Sequence, residues 1–97
     1  MNSERGRELE AAFSRRRAAG ESVALARRTD APGEFGLLIF AGGQFQGDLG
    51  EPRLNQRAAL YAEAILEKST DQRAARQRKS FEGPQGLLEL EFDFERS

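Results

Sequence analysis

The stretch Leu87-Leu88-Glu89-Leu90-Glu91-Phe92-Asp93-Phe94-Glu95 decides the fold of this 97-residue chain. From Leu88 onward, apolar and acidic side chains exchange at every position, which is the period of a β-strand with one buried and one exposed face. The sequence therefore predicts a strand over residues 87–95, with its apolar side chains on a core and its carboxylates on a solvated outer face.

The carboxylates of this strand allow a second interpretation. Glu89, Glu91, Asp93 and Glu95 share one face, and hard cations such as Ca²⁺ or Mg²⁺ bind clustered oxygens. Alternate side chains on a strand lie about 7 Å apart, so one ion would need further ligands from elsewhere. We therefore expect a solvated face that keeps an exposed edge from pairing, and no metal site.

Apolar runs between turn residues predict further strands. Residues 35–40 are almost continuously apolar, which is typical of a central strand buried on both faces. Residues 22–29 and 44–47 fit two more strands, with the glycine pair at 42–43 as a tight turn. Residues 79–82 are expected to form a short strand before the turn Gly83-Pro84-Gln85-Gly86.

Two segments predict amphipathic helices. In residues 3–19, Leu9, Ala12 and Phe13 fall on one helical face. Residues 52–69 begin with a proline, which suits the first helical position. Their apolar stripe consists of Leu54, Ala58, Tyr61, Ala62, Ile65 and Leu66. Residues 70–79, which are polar and rich in Arg and Gln, fit either a frayed extension of this helix or a loop.

The predicted order of elements is α-β-β-β-α-(β)-β, which defines an α+β fold in a single domain over residues 1–97. We expect a mainly antiparallel or mixed sheet of four to five strands. We expect the two amphipathic helices to cover one face of that sheet.

The composition restricts the chemistry. The chain has 15 basic and 16 acidic residues and a net charge of −1, so no global field draws it to nucleic acid or to an anionic membrane. It contains no Cys and no His, which removes the usual ligands of zinc, iron–sulfur clusters and haem and the commonest general base. We expect a cytoplasmic protein without a catalytic site or a membrane span.

The order of these features resembles the N-terminal domain of the XdhC/CoxI family of molybdoenzyme maturation factors. In that domain a helix and a Gly-Glu pair precede two strands, a glycine turn, a glycine-rich loop and an alanine-rich helix. The matching landmarks here are Gly20-Glu21 before residues 22–29, the loop Gly47-Asp48-Leu49-Gly50, and the turn Gly83-Pro84-Gln85-Gly86. Arg53 and Pro84 stand where the family has cysteines, and we expect no C-terminal Rossmann-like domain.

The resemblance implies a non-catalytic binding or assembly module that assists molybdenum-cofactor handling or maturation of a xanthine- or CO-dehydrogenase-type molybdoenzyme. The implied partners are that enzyme or its other maturation proteins, and the implied ligand is molybdenum cofactor or molybdopterin. The residues implied to bind it are Gly47, Asp48, Gly50, Arg53, Gly83 and Gly86.

Three alternatives remain open at this point. The loop before the second helix is either an anion site at a helix N-terminus or a structural turn, in which Asp48 and Glu51 would repel phosphate. A generic interaction or homodimerisation module would use apolar surface left over from the Phe-rich strands. Nucleic-acid binding through the arginine clusters is the least expected, because the charges balance.

Overall fold

The computed structural model describes residues 4–31, 35–68, 74–84 and 86–95. The elements in chain order are α1 (Glu4–Ala18), β1 (Val23–Arg28), β2 (Gly36–Phe40), β3 (Phe45–Asp48), α2 (Pro52–Glu67), β4 (Ala74–Gly83) and β5 (Gly86–Glu95). The predicted α+β fold is confirmed, and the sheet, predicted to have four to five strands, has five. Of the positions predicted to end the helices, Ser3 and Ser69 lie outside the described residues. None of the described helices is long and apolar enough to cross a membrane.

The sheet has the strand order β3-β2-β1-β5-β4, and every neighbouring pair is antiparallel. One row of cross-strand partners runs through all five strands: Asp48, Gly36, Arg27, Glu91 and Arg78. The strand predicted to be central, β2, lies next to the edge, and β1 occupies the centre. β3 and β4 are the two edges.

The two helices cover opposite faces of the sheet, so the prediction that they share one face is wrong. Leu9 and Phe13 of α1 pack with Val23 and Leu25 of β1, whereas α2 packs on the face that carries Ala24 and Ala26. The reason lies in β1 and β2, which are apolar on both faces. Helices on one face alone would leave the other apolar face in water.

The larger core lies between α2 and β5. Leu90, Phe92 and Phe94 are buried there, as the alternation of residues 87–95 predicts. The ring of Tyr61 on α2 lies 5.0 Å from that of Phe92, and Phe81 on β4 lies 6.0 Å from Tyr61. Burying a side chain of this size contributes about 2–3 kcal/mol to stability, so this aromatic cluster ties β4 and β5 to α2.

β4 is much longer than the sequence indicates. It pairs with β5 over ten residues, so residues 74–79 are neither a helical extension nor a loop, and residues 70–73 lie outside the described residues. The predicted strand over residues 79–82 is only its end. The sequence does not indicate the inner face of β4, because polar Gln77 stands at a position where an apolar residue would be expected. The side-chain oxygen of Gln77 accepts a hydrogen bond from the Tyr61 hydroxyl at 2.6 Å.

Candidate functional site

Four of the residues predicted to bind a cofactor lie where β3 leads into α2: Gly47 and Asp48 end β3, Gly50 lies in the loop, and Arg53 is in the first turn of α2. Gly47 has a φ of +112°. A Cβ atom there would lie 2.5 Å from the carbonyl oxygen of Gly36 and 3.0 Å from Cδ1 of Leu9. The glycine is therefore required by the close approach of β3 to β2 and α1.

Hydrogen bonds within the protein hold this loop closed. One carboxylate oxygen of Asp48 accepts from the backbone N–H of Gly50 at 2.8 Å and from the side-chain amide of Asn55 at 3.0 Å. The amide oxygen of Asn55 accepts from the backbone N–H of Leu49 at 2.7 Å. The N–H groups of Leu49 and Gly50 are the donors that would bind an anion at this loop. Both already donate to side chains of the protein.

Arg28 braces the same loop from β1. Its Nη1 donates to the carbonyl oxygen of Leu49 at 3.1 Å, and its Nε and Nη2 donate to the carboxylate of Asp30 at 2.9 and 2.6 Å. The guanidinium also lies 4.6 Å from the centre of the Phe35 ring, a cation–π distance. The hydrogen bond from Arg28 lowers the pKa of Asp30 below the ordinary value of an aspartate.

Arg53 remains accessible in the first turn of α2. It is exposed and has no hydrogen bond or ion pair to any other described residue. The helix begins at Pro52 after Glu51, whose side chain makes no capping hydrogen bond. An anion could approach Arg53, but it would meet the Glu51 carboxylate at the same helix end.

The structure does not bring Gly83 and Gly86 to this loop. They face each other across the turn between β4 and β5, at one edge of the sheet, whereas Gly47 and Asp48 belong to β3 at the other edge. Four inter-strand spacings separate these edges, about 19 Å. The six predicted residues therefore form two separate groups.

A cluster of ion pairs covers the part of the sheet that α1 leaves open, and sequence reasoning missed it. Arg27 on β1 bridges to both Glu91 and Asp93 on β5, and its Nη1 donates to Glu10 of α1 at 3.0 Å. The side chains of Glu91 and Asp93 are 18% and 19% exposed. The acidic face of β5 is therefore half-buried and paired where α1 borders it, not simply solvated as predicted.

Two arginines of β4 complete this cluster. Nε of Arg76 donates to Asp93 at 2.7 Å and Nε of Arg78 donates to Glu91 at 3.3 Å. The hydrogen bond to Asp93 raises the pKa of Arg76 above its ordinary value. Within the described residues no group of three or more carboxylates is arranged to hold a metal ion, and the arginines occupy the space between the acids.

An open groove of about 900 Å³ lies between α1 and β3. Its lining includes Arg15 and Arg16 but also Glu8 and Glu21, and Arg16 is already paired with Glu21 at 3.0 Å. Because opposite charges alternate around the groove, it offers no single field for a charged ligand.

Comparison with known proteins adds no relative. The chain matches no family model, no curated protein and no solved structure. The geometry described above, together with the order of motifs in the sequence, is therefore the basis for a functional interpretation.

Proposed function

We propose that this chain is a non-catalytic assembly module of the XdhC/CoxI type, which assists maturation of a xanthine- or CO-dehydrogenase-type molybdoenzyme through protein–protein contact. The order of motifs supports the family relationship. The strand pair β1–β2, the glycine-rich loop and the helix α2 follow one another in the arrangement that the resemblance implies. The role inferred from that family rests on this order of motifs alone.

One observation favours protein contact over direct cofactor binding. The loop that the resemblance marks as the ligand site has its Leu49 and Gly50 N–H groups bonded to Asn55 and Asp48. A molybdopterin phosphate would have to break these bonds and sit beside the carboxylate of Asp48, at a cost in both hydrogen bonding and repulsion. A partner protein requires neither change.

Two other functions considered from the sequence have less support. Nucleic-acid binding has less support because the chain carries no net positive charge, and Arg16, Arg27, Arg28, Arg76 and Arg78 each share their charge with a neighbouring carboxylate. Homodimerisation through apolar surface needs a contiguous patch. The large hydrophobic side chains that are exposed among the described residues, Phe45, Leu60 and Leu87, lie on three different elements.

The proposal is tested by equilibrium binding of the full chain to a purified, cofactor-free molybdoenzyme of this type from the same cell, immobilised for biolayer interferometry. We expect saturable binding, with an unrelated flavoenzyme of similar size and charge as the control surface. Equal signals on both surfaces, or no saturation at about 100 μM chain, would contradict the proposed function.

Direct cofactor handling is separated from this by a thermal-shift titration of the chain with molybdopterin. A ligand at 100 times its dissociation constant would stabilise the fold by about 2.7 kcal/mol. We expect no such shift. A shift that Arg53→Gln abolishes would instead assign cofactor binding to the loop before α2.

A further inference from the structure

β4 carries a free backbone edge. Over its ten residues it pairs with β5 on one side, and no other described strand pairs with it. Unpaired edges of this length are templates for the addition of another strand, and proteins that do not use them usually shorten them, bulge them or place charged side chains along them. β4 keeps regular pairing with β5 from Ala74↔Glu95 to Gly83↔Gly86.

The pairing of β5 determines which residues of β4 direct their backbone N–H and C=O groups outward. The backbone N–H of Thr29 donates to the carbonyl oxygen of Glu89 at 3.2 Å, so Glu89 directs its backbone groups toward β1 and away from β4. Its partner on β4 is Ser80, which therefore directs its own N–H and C=O outward. The two-residue period gives Arg76 and Arg78 the same orientation.

One end of the edge is closed by α2. The Nη1 atom of Arg57 donates to the carbonyl oxygen of Glu82 at 3.3 Å, which confirms that even-numbered residues of β4 face outward. The outward backbone groups available to a ligand strand are consequently those of Arg76, Arg78 and Ser80, together with Ala74 at the start of the strand.

The side chains along this segment are basic and already oriented. Arg76 and Arg78 are 65% and 66% exposed, and each guanidinium is held to β5 through its Nε atom. Their Nη1 and Nη2 atoms have no partner among the described residues. These pairs of donors lie on one face, about 7 Å apart along the strand, and each fits a carboxylate in bidentate geometry.

We propose that the outer edge of β4 binds an extended acidic segment of a partner protein, with carboxylates at alternate positions, by strand addition. The backbone of the segment pairs with Arg76, Arg78 and Ser80, and its carboxylates bind the two guanidinium groups. This inference builds on the proposed protein-contact role and specifies the surface and the chemistry of the partner.

Charge disfavours a second copy of the chain in the registers centred on the basic segment. Arg76, Arg78 and Lys79 follow one another closely along the edge, and Lys79 lies on the other face, 5.8 Å from the ring of Tyr61. Two copies of β4 paired antiparallel about Arg78 or Lys79 would place identical cations opposite each other, which is unfavourable. An acidic segment meets attraction at the same positions.

The test uses a fluorescein-labelled ten-residue peptide with Glu at alternate positions and Thr or Val between them, titrated with the full chain by fluorescence anisotropy. We expect saturable binding that weakens as salt is raised. The double variant Arg76→Gln/Arg78→Gln should bind about tenfold or more weakly. Arg7→Gln/Arg15→Gln, which removes the same charge from α1, is the matched control and should bind like the wild type.

A second variant tests strand addition independently of charge. Ser80→Pro removes an outward N–H while leaving the β4–β5 ladder intact, so we expect the peptide to lose binding and the thermal melt to stay cooperative. No binding by the wild type up to about 1 mM peptide, or equal binding by wild type and the arginine double variant, would overturn the proposal. A dimer in sedimentation that Ser80→Pro dissociates would also overturn it, because the edge would then bind a second copy.

A failure of this inference can be distinguished from a failure of the proposed function. The peptide tests the β4 edge without the molybdoenzyme. Peptide binding without enzyme binding would remove only the assembly role, and enzyme binding that the Arg76→Gln/Arg78→Gln variant retains would remove only the β4 surface.

Discussion

The side-chain amide of Asn55 donates a 3.0 Å hydrogen bond to the carboxylate of Asp48, across the start of α2. The same amide accepts from the N–H of Leu49, and the same carboxylate oxygen accepts from the N–H of Gly50. Two residues thus hold the loop that the family resemblance marks as a ligand site. Because the N–H groups of Leu49 and Gly50 already donate within the protein, these hydrogen bonds stabilise the loop and leave neither group for an anion.

Replacing Asn55 by alanine should lower the free energy of unfolding by about 1–3 kcal/mol. Leu49 is fully buried, so its N–H would lose its acceptor in a place that bulk water does not reach. Urea denaturation measures the change. Gln56→Ala, on the exposed side of the same helical turn, is the control, and equal stabilities of the two variants would contradict a structural role for Asn55.

Gly47→Ala should destabilise the fold more than Gly42→Ala. Both glycines have positive φ, +112° and +99°, so both variants acquire backbone strain of about 1–2 kcal/mol. Only at Gly47 would the new methyl group meet backbone, the carbonyl oxygen of Gly36 at 2.5 Å. Thermal melts of the two variants isolate this steric cost, and a Gly42→Ala variant as unstable as Gly47→Ala would argue against the close approach of β3 to β2.

Arg27→Met should destabilise the protein by about 1–2 kcal/mol, because it leaves half-buried Glu91 and Asp93 without their central cation. Arg76→Met removes a more exposed arginine from the same cluster and should cost less. Chemical denaturation at low and high salt compares the two. A larger loss for Arg76→Met would mean that the exposed arginine, and not Arg27, organises the cluster.

The carboxyl of Asp30 should titrate below the ordinary range of an aspartate, since its pKa is lowered chiefly by the hydrogen bond from Arg28. A lowered pKa in the folded state contributes stability above the pKa of the unfolded chain, and this contribution is lost as the pH falls through the folded value. Carbon-detected NMR titration of Asp30 measures this midpoint. Arg28→Gln should return it to the ordinary range, and an unchanged midpoint would contradict the pairing.

The sequence predicts the elements whose apolar residues follow one period. β5 and α2 are recognisable because strict alternation and a helical stripe each require a buried face. β4 is not, because Gln77 and Lys79 face the core side and gain their contacts from Tyr61. The placement of α1 and α2 on opposite faces follows from β1, which is apolar on both sides. This information is present in the sequence of β1, but the sequence of a helix does not indicate which face of the sheet that helix covers.

In the candidate sites too, the residues can be selected from the sequence but their contacts cannot. Gly47, Asp48 and Gly50 can be selected from the sequence as a glycine-rich loop before a helix. Their closure by Asn55 depends on a helical residue seven positions from Asp48. The pairing of Arg76 and Arg78 with β5 depends on strand register, which no local pattern specifies.

The central claim, that the chain assists assembly of a molybdoenzyme by protein contact, is tested most directly by reconstitution. A cofactor-free xanthine- or CO-dehydrogenase-type enzyme is supplied with molybdenum cofactor, with and without the full chain, and the yield of active enzyme is measured. We expect a higher yield with the chain and a smaller gain with Arg76→Gln/Arg78→Gln. An unchanged yield at saturating chain would contradict the proposed role.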